Sequence, residues 1–340
     1  MRKLLNTLYV TTPESYLFKD GQNVVVSVNQ EEVFRIPAIN IEGIVTFGYM
    51  GASPGVMKLC SDNGISLTFL SPHGRFIGRV QGATKGNVLL RKKQYQLSDD
   101  ESWSLHVSRL MIGGKIQNYR NILRRYIRDY GEYADVNQAI HALEYAKRNV
   151  LMAQDKTTLM GYEGMASNAY FEVFPVLMLH QKENFPFHGR NRRPPKDAVN
   201  AMLSFSYTLM ANDVAAALET VGLDPYVGFL HTLRPGRISL ALDLMEEFRA
   251  YLGDRLVLSL INKKQITAKD FLFQGDSGVV MTDKGKKILI SAWQSRKRET
   301  IMHPYLNEKI EIGLLPYVQA MLMARFIRND IDDYPVFLIK

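Results

Sequence analysis

Two hydrophobic periods run along this chain, and one replaces the other near residue 97. In the first stretch, apolar and polar residues alternate in short segments. "SYLFKDGQNVVVSVNQEEVFRIPA" reads as three strands, "YLFK", "VVVSV" and "VFRI", punctuated by turns at Asp20-Gly21 and Asn29-Gln30. The alternation continues through "IEGIVTFG" and "ISLTFLSPHGRFIGRV", the latter with a turn at His73-Gly74. One helix interrupts it: Ser53 is placed to cap, Pro54 takes the first helical position, "GVMKLC" follows, and Asn63-Gly64 closes it.

Beyond residue 97, apolar residues recur at spacings of three and four. "WSLHVSRLMIGGKIQNYRNILRRYI", "NQAIHALEYAKRNVLMAQ", "MASNAYFEVFPVLML", "DAVNAMLSFSYTLMANDVAAALETVG", "SLALDLMEEFRAYLGDRLVLSLI" and "IGLLPYVQAMLMARFIR" all predict helices. A loop at "ENFPFHGRNRRPPK", a small hairpin in "FLFQGDSGVVMT" and the tail "DDYPVFLIK" are the irregular parts. The expected fold is α+β in two domains: an all-β domain over residues 1–97, then a larger all-α domain over residues 98–340.

Composition adds a partner class. The 340 residues are 46% hydrophobic, enough to bury a core, and carry 42 Lys and Arg against 34 Asp and Glu, a net charge of +8. The excess is clustered in "SRLMIGGKIQNYRNILRRYIRD", "HGRNRRPPK" and "QSRKRE", which points to a polyanion such as nucleic acid. No apolar run spans a membrane and no secretory leader is evident, so a soluble cytoplasmic protein is expected. The single cysteine, Cys60, has apolar neighbours and reads as a buried thiol.

Chemistry is concentrated in "GFLHTLRPGRISLALDLMEEFR". On a helix, Leu240, Ala241, Leu244 and Phe248 would share one face while Asp243, Glu246 and Glu247 share the opposite edge, twelve or more residues after His231. Exposed, such acids repel by only ~0.2–0.5 kcal/mol per pair. Enclosed, two carboxylates ~4 Å apart repel by ~4 kcal/mol at an effective dielectric of 20 and call for a cation between them. Glu163, expected at the start of a helix rich in small residues, is a candidate partner, although a first-turn acid is also favoured by the helix dipole alone.

"GYEGMASNAYF", "RRPPKDAVNAMLSFSYTLM", "GLDPYVGFLH" and "LALDLMEEFR", in that order, resemble the CRISPR-associated integrase of spacer acquisition, the Cas-one family. "IPAINIEGIVTFG", "SPGVMKLCSDNGISLTFLSPHGRFIGRV" and "GNVLLRKKQY" extend the likeness over essentially the whole chain, and "DYPVFLIK" is similar to members from subtype I-C loci. The resemblance implies a divalent metal, Mg²⁺ or Mn²⁺, bound by Glu163, His231 and Glu246, with Asp243 as an auxiliary acid. Glu246 rather than Glu247 is singled out by the family's Asp-x-x-Asp or Asp-x-x-Glu pattern.

The implied reaction joins 3′-hydroxyl ends of short duplex DNA into the repeat of a CRISPR array, with associated endonuclease activity. Arg190, Arg192, Arg193, Lys196, Arg237 and Arg249 are the expected phosphate contacts, and the Tyr207 hydroxyl is either near the scissile region or part of the core. The family further implies a homodimer through the β domains, a Cas-two companion and, in subtype I-C loci, a Cas-four nuclease. Two alternatives stay open: a stand-alone metal-dependent nuclease on branched or single-stranded DNA, and a non-catalytic architectural DNA binder.

Overall fold

Two compact units, residues 1–86 and 87–340, make up this computed structural model, which describes residues 6–339 except 13, 49–50, 73–75, 81, 83–87, 192–193 and 276–277. In the first unit the strands are β1 (Asn6–Val10), β2 (Ser15–Asp20), β3 (Asn23–Val28), β4 (Glu31–Pro37), β5 (Ile41–Phe47), β6 (Ser66–Leu70) and β7 (Phe76–Val80). β2, β3 and β4 form an antiparallel meander, turned at Gly21 (φ 58°) and at Asn29 and Gln30 (φ 52° and 70°). Asn29 is among the residues that tolerate the left-handed turn conformation such a hairpin requires.

The second sheet runs β1-β5-β6-β7, with β1–β5 and β5–β6 parallel and β6–β7 antiparallel. The expected turn at His73-Gly74 lies outside the described residues. Helix α1 (Pro54–Asn63) starts as read, with Ser53 Oγ accepting from the Val56 N–H at 3.2 Å, and takes in Asn63 before Gly64 at φ 66° ends it. Leu17, Val24, Ile44, Val56, Leu67 and Cys60 build the core of this unit. Burial pushes the Cys60 thiol up to about 11, so it stays protonated and unreactive.

The helical unit begins earlier than residue 97. α2 (Val88–Asp99) is already helical, with Gln94 buried against the carbonyls of Asp224 and Val227. Its basic residues, Arg91, Lys92 and Lys93, interrupt the apolar period and hid it in the sequence. The other helices are α3 (Glu101–Tyr130), α4 (Ala134–Met152), α5 (Lys156–Glu172), α6 (Ala198–Val221), α7 (Ser239–Met245), α8 (Arg255–Asn262), α9 (Asp283–Arg298) and α10 (Leu315–Ile327). Two small hairpins accompany them, β8 (Phe271–Phe273) with β9 (Val279–Met281), as expected, and β10 (Thr300–Met302) with β11 (Lys309–Glu311), which was not.

α3 is the axis of this unit. Asp100 caps it, accepting from Ser102 N and Trp103 N, and its thirty residues span about 45 Å. Gly113 and Gly114 let neighbours come close: a Cβ on Gly114 would lie 2.2 Å from Val336 of the C-terminal segment, and one on Gly113 would lie 3.3 Å from Leu151 of α4.

Two expected helices differ in ways that matter for the site. Asp155 accepts from Thr158 N at 2.7 Å and starts α5 at Lys156, so Glu163 lies mid-helix and a first-turn dipole effect does not explain it. The single helix read over 239–261 is broken. α7 ends at Met245, residues 246–248 turn, and a π-helical stretch over Arg249–Asp254 precedes α8. Such stretches insert a residue into the helical register and re-aim the side chains around them.

A candidate active site around Glu163, His231 and Glu246

The end of α7 and the turn after it carry the acids of "LALDLMEEFR" to three different places. Asp243, Glu246 and Glu247 are all buried, at 0%, 4% and 0% exposure, and they do not share a solvated edge. Each is enclosed by different partners: Asp243 by backbone N–H groups, Glu246 by Lys115 and Arg249, and Glu247 by the Tyr334–Phe337 segment.

Asp243 faces the loop before it. Its Oδ2 accepts from the N–H groups of Phe229 (2.6 Å) and Leu230 (2.9 Å), while Oδ1 accepts from His231 N (2.9 Å) and lies 2.6 Å from His231 Nδ1. Both carboxylate oxygens are thereby used. Asp243 orients His231, and with Nδ1–H donated the opposite ring nitrogen, Nε2, carries the lone pair. Gly228 makes this approach possible, since a Cβ there would meet Asp243 Oδ2 at 2.5 Å and the Leu240 backbone nitrogen at 2.8 Å.

Glu246 faces α3 and α5. Its Oε1 lies 2.8 Å from an Arg249 nitrogen, and its Oε2 lies 2.9 Å from Lys115 Nζ. Lys115 also donates to Glu163 Oε1, which accepts from Ser167 Oγ at 2.8 Å. One ammonium therefore bridges the two carboxylates. Burial opposes the charge on Glu246, but Arg249 and Lys115 prevail and bring it down to about 2. Burial likewise opposes ionisation of Glu163, and Lys115 holds it below the usual carboxylate range. Glu246 and Glu163 in turn keep Lys115 charged against its burial.

Glu247 belongs to another network. It accepts from Tyr334 Oη, Phe337 N and Gln319 Nε2, and burial pushes it up to about 8. Asn118 of α3 ties down the same segment through Phe337 O at 2.8 Å and Ile339 N at 2.9 Å. His303, whose Nε2 lies 3.1 Å from Gln319 Oε1, completes this structural cluster.

The expected phosphate contacts divide. Lys196 is exposed and Arg237 half-buried, while Arg192 and Arg193 lie outside the described residues. Arg190 donates to Asn200 Oδ1 (2.6 Å) and Ser204 Oγ (3.1 Å), with its guanidinium 5.3 Å from the Tyr207 ring. Arg249 is not a surface contact: it pairs with Glu246 and lies 4.8 Å from the same ring. Tyr207 is buried and donates to Asp254 Oδ1 at 2.5 Å, the core role of the two read for it. Burial raises Asp254 to about 6. Gly253 admits this tyrosine, because a Cβ there would lie 2.7 Å from Tyr207 Cε1.

Lys115 and Asp254 escaped the sequence reading. Lys115 was counted with a basic run, yet it falls at a four-residue spacing between Met111 and Tyr119 on the buried face of α3. A lysine at a core position was the available signal. Asp254 follows the apolar "AYLG", and nothing in the spacing separates it from a surface acid.

The donors suit a hard divalent cation: the carboxylates of Glu163 and Glu246 and one oriented imidazole. As the side chains stand, no group of three His, Cys, Asp or Glu among the described residues is gathered tightly enough to hold a metal, and the Lys115 ammonium lies between the two glutamates. Gly161 and Gly164 of α5 face open space, leaving room beside Glu163. Among the described residues no helix is long and apolar enough to cross a membrane.

Comparison with known proteins gives this arrangement a family. The sequence profile described as CRISPR associated protein Cas1 matches residues 8–295. CRISPR-associated endonuclease Cas1 1 of Chlorobaculum tepidum is 49% identical over 99% of each chain, and CRISPR-associated endonuclease Cas1 2 of Rhodospirillum rubrum is 45% identical over 100% of each. Among solved structures, a Cas1 protein from Thermotoga maritima has a TM-score of 0.83 at 23% identity, covering 98% of this chain and 100% of its own. A casposase bound to integration product has a TM-score of 0.84 at 20% identity, covering 98% and 93%. The chain belongs to the Cas1 family and is a CRISPR-associated endonuclease.

Proposed function

We propose that this protein joins the 3′-hydroxyl ends of short duplex DNA into the repeat of a CRISPR array, at a centre made of Glu163, Glu246 and His231. The observation that carries this reading is the pair of glutamates, Glu246 buried and Glu163 half-buried, held around the Lys115 ammonium, beside an imidazole whose Nδ1 is taken by Asp243. Glu163, Glu246 and His231 would hold Mg²⁺ or Mn²⁺. When bound, such an ion supplies charge stabilisation at a phosphodiester oxygen and alignment for in-line attack.

The remaining work falls to the chain. Asp243 fixes the imidazole, Ser167 fixes Glu163, and Arg249 holds Glu246 ionised. Arg190, Lys196 and Arg237 offer positive charge to the DNA backbone, Arg190 from a guanidinium locked by Asn200 and Ser204. Arg192 and Arg193 share that sequence run and the same assignment. In the joining step the attacking 3′-oxygen forms a bond to phosphorus, the P–O3′ bond of the repeat strand breaks, and the proton passes to the departing 3′-oxygen. One phosphodiester is exchanged for another, so no energy source is needed.

The assembly we infer is a homodimer through the N-terminal unit, with a Cas-two companion and a Cas-four nuclease. Solved neighbours named as Cas6-RT-Cas1–Cas2 complexes and relatives named as Cas4/Cas1 fusions support these partners.

A duplex ending in a 3′-hydroxyl and one ending in a 3′-deoxynucleotide, each incubated with a repeat-bearing plasmid, Mn²⁺ and the companion protein, test the reaction type. Joined product from the first alone supports the reading. Plasmid cleavage without joining from both would replace it with simple hydrolysis.

A further inference from the structure

Residues 334–339 have no regular secondary structure, and side chains from elsewhere in the helical unit hold their backbone instead. Asn118 of α3 uses its whole amide. Its Nδ2 donates to Phe337 O and to Glu247 O, both at 2.8 Å, and its Oδ1 accepts from Ile339 N at 2.9 Å. Asn121, on the same helix, donates to Ile339 O. Gln319 of α10 donates to Pro335 O at 3.1 Å, and Glu247 accepts from Phe337 N and from the Tyr334 hydroxyl. Tyr334, Phe337 and Ile339 are buried, and the Phe337 ring lies 5.9 Å from Phe248, 5.8 Å from Tyr251 and 6.0 Å from His303.

The anchors of this segment are the immediate neighbours of two groups in the catalytic centre. On α3, Gly114 and Asn118 are four residues apart on one face and receive the segment. Lys115 and Tyr119, each one residue further on, meet Glu163, Glu246 and the Tyr170 ring of α5. After α7, Glu246 turns its carboxylate to Lys115 and Arg249, while Glu247, the next residue, turns its own to Phe337 and Tyr334. Asn118 joins the two sides, because one amide holds the carbonyl of Glu247 and the backbone of the segment. The contact is tight: a Cβ on Gly114 would collide with Val336 Cγ1 and lie 3.2 Å from Val336 Cβ. In a close-packed interior a shift of the segment is passed to its neighbours rather than absorbed.

We infer that residues 334–339 are a positioning element of the catalytic centre, fixing where Glu246 stands against the α3 turn that carries Lys115, and through them the spacing of Glu246 from Glu163. This rests on Glu163, His231 and Glu246 holding the divalent cation. The segment supplies no ligand and no group to the reaction. It acts as the outer partners of metal ligands do, by orienting the groups that bind.

The test compares full-chain wild type with Gly114→Ala, Val336→Ala and the Gly114→Ala/Val336→Ala double variant. Mn²⁺ binding by calorimetry and thermal melting are measured without DNA, and joining is measured at saturating duplex. Gly114→Ala should weaken Mn²⁺ binding on the order of tenfold and slow joining by a similar factor, with duplex affinity unchanged. Val336→Ala removes the colliding methyl groups and leaves only the 3.2 Å contact, so the double variant should recover both Mn²⁺ binding and joining. Gly114→Ala that melts lower yet binds Mn²⁺ as wild type does overturns the proposal, because the segment would then merely hold the fold. A double variant that recovers neither property also overturns it, since the alanine would be acting on α3 alone. Ile339→Pro removes the N–H held by Asn118 and takes the same measurements if Gly114→Ala does not fold. Its Mn²⁺ affinity should fall severalfold, and wild-type affinity overturns the proposal. Glu246→Gln run alongside keeps the two readings separable. Wild-type Mn²⁺ binding by Glu246→Gln defeats the metal-centre reading, whereas its loss there and not in Gly114→Ala defeats only the role of the segment.

Discussion

His231 Nδ1 lies 2.6 Å from Asp243 Oδ1, and the same carboxylate gathers the backbone N–H groups of Phe229, Leu230 and His231. One buried acid thus sets both the loop and the ring. Asp243→Asn replaces one acceptor oxygen by a donor facing two N–H groups. It should lower the unfolding free energy by about 2–3 kcal/mol in urea titrations and weaken Mn²⁺ binding in calorimetry. A variant with wild-type stability would show that the network does not organise the loop.

Gly228 is the steric counterpart of that network. Gly228→Ala pushes a methyl group against Asp243 Oδ2 and the α7 backbone, and should cost about 1–3 kcal/mol. The His231 imidazole resonances should shift in NMR spectra of the variant. A silent substitution would mean the loop does not pack so closely on α7.

Lys115 stands in the place a cation is needed. Lys115→Met leaves Glu163 and Glu246 with Arg249 as the nearest remaining counter-charge, and should destabilise the metal-free protein by about 3–5 kcal/mol. Mn²⁺ should then raise the melting temperature of the variant more than that of wild type. Equal Mn²⁺ shifts would contradict the idea that ion and ammonium share one position.

Glu247 gives a pH signature. Its carboxyl is raised by burial from 4.5 to about 8, so the folded state binds the proton more tightly than the unfolded one. Its contribution is full below pH ~4.5 and is lost as pH rises through about 8, amounting to on the order of 2–4 kcal/mol. Glu247→Gln cannot ionise. The stability difference between wild type and variant should therefore move against the wild type from pH 5 to pH 8, in denaturant titrations at each pH. A pH-independent difference would mean Glu247 is ionised throughout.

Much of this was legible in the residues. Alternation and turn chemistry placed the strands around Gly21 and Asn29, and Ser53 and Pro54 placed the start of α1, while its end runs one residue further than read, through Asn63. Helical period located six segments, but it could not register the break after Met245, because apolar residues keep a helical spacing within the segments on either side of it. The same limit made the three acids look alike. Only the partners separate them: backbone N–H groups for Asp243, cations for Glu246, and the Tyr334–Phe337 segment for Glu247. Lys115 was hidden because a lysine is normally read as solvated, even at a spacing that buries it.

The central claim is that Glu163, His231 and Glu246 act as one centre for strand joining. Its most direct test is the yield of joined product from a 3′-hydroxyl duplex and a repeat-bearing plasmid in Mn²⁺, for wild type, Glu163→Gln, His231→Ala and Glu246→Gln, with duplex binding measured on each. The account predicts joined product from wild type and a loss on the order of a hundredfold or more in every variant, with duplex binding retained. Wild-type yields from all three variants would contradict it.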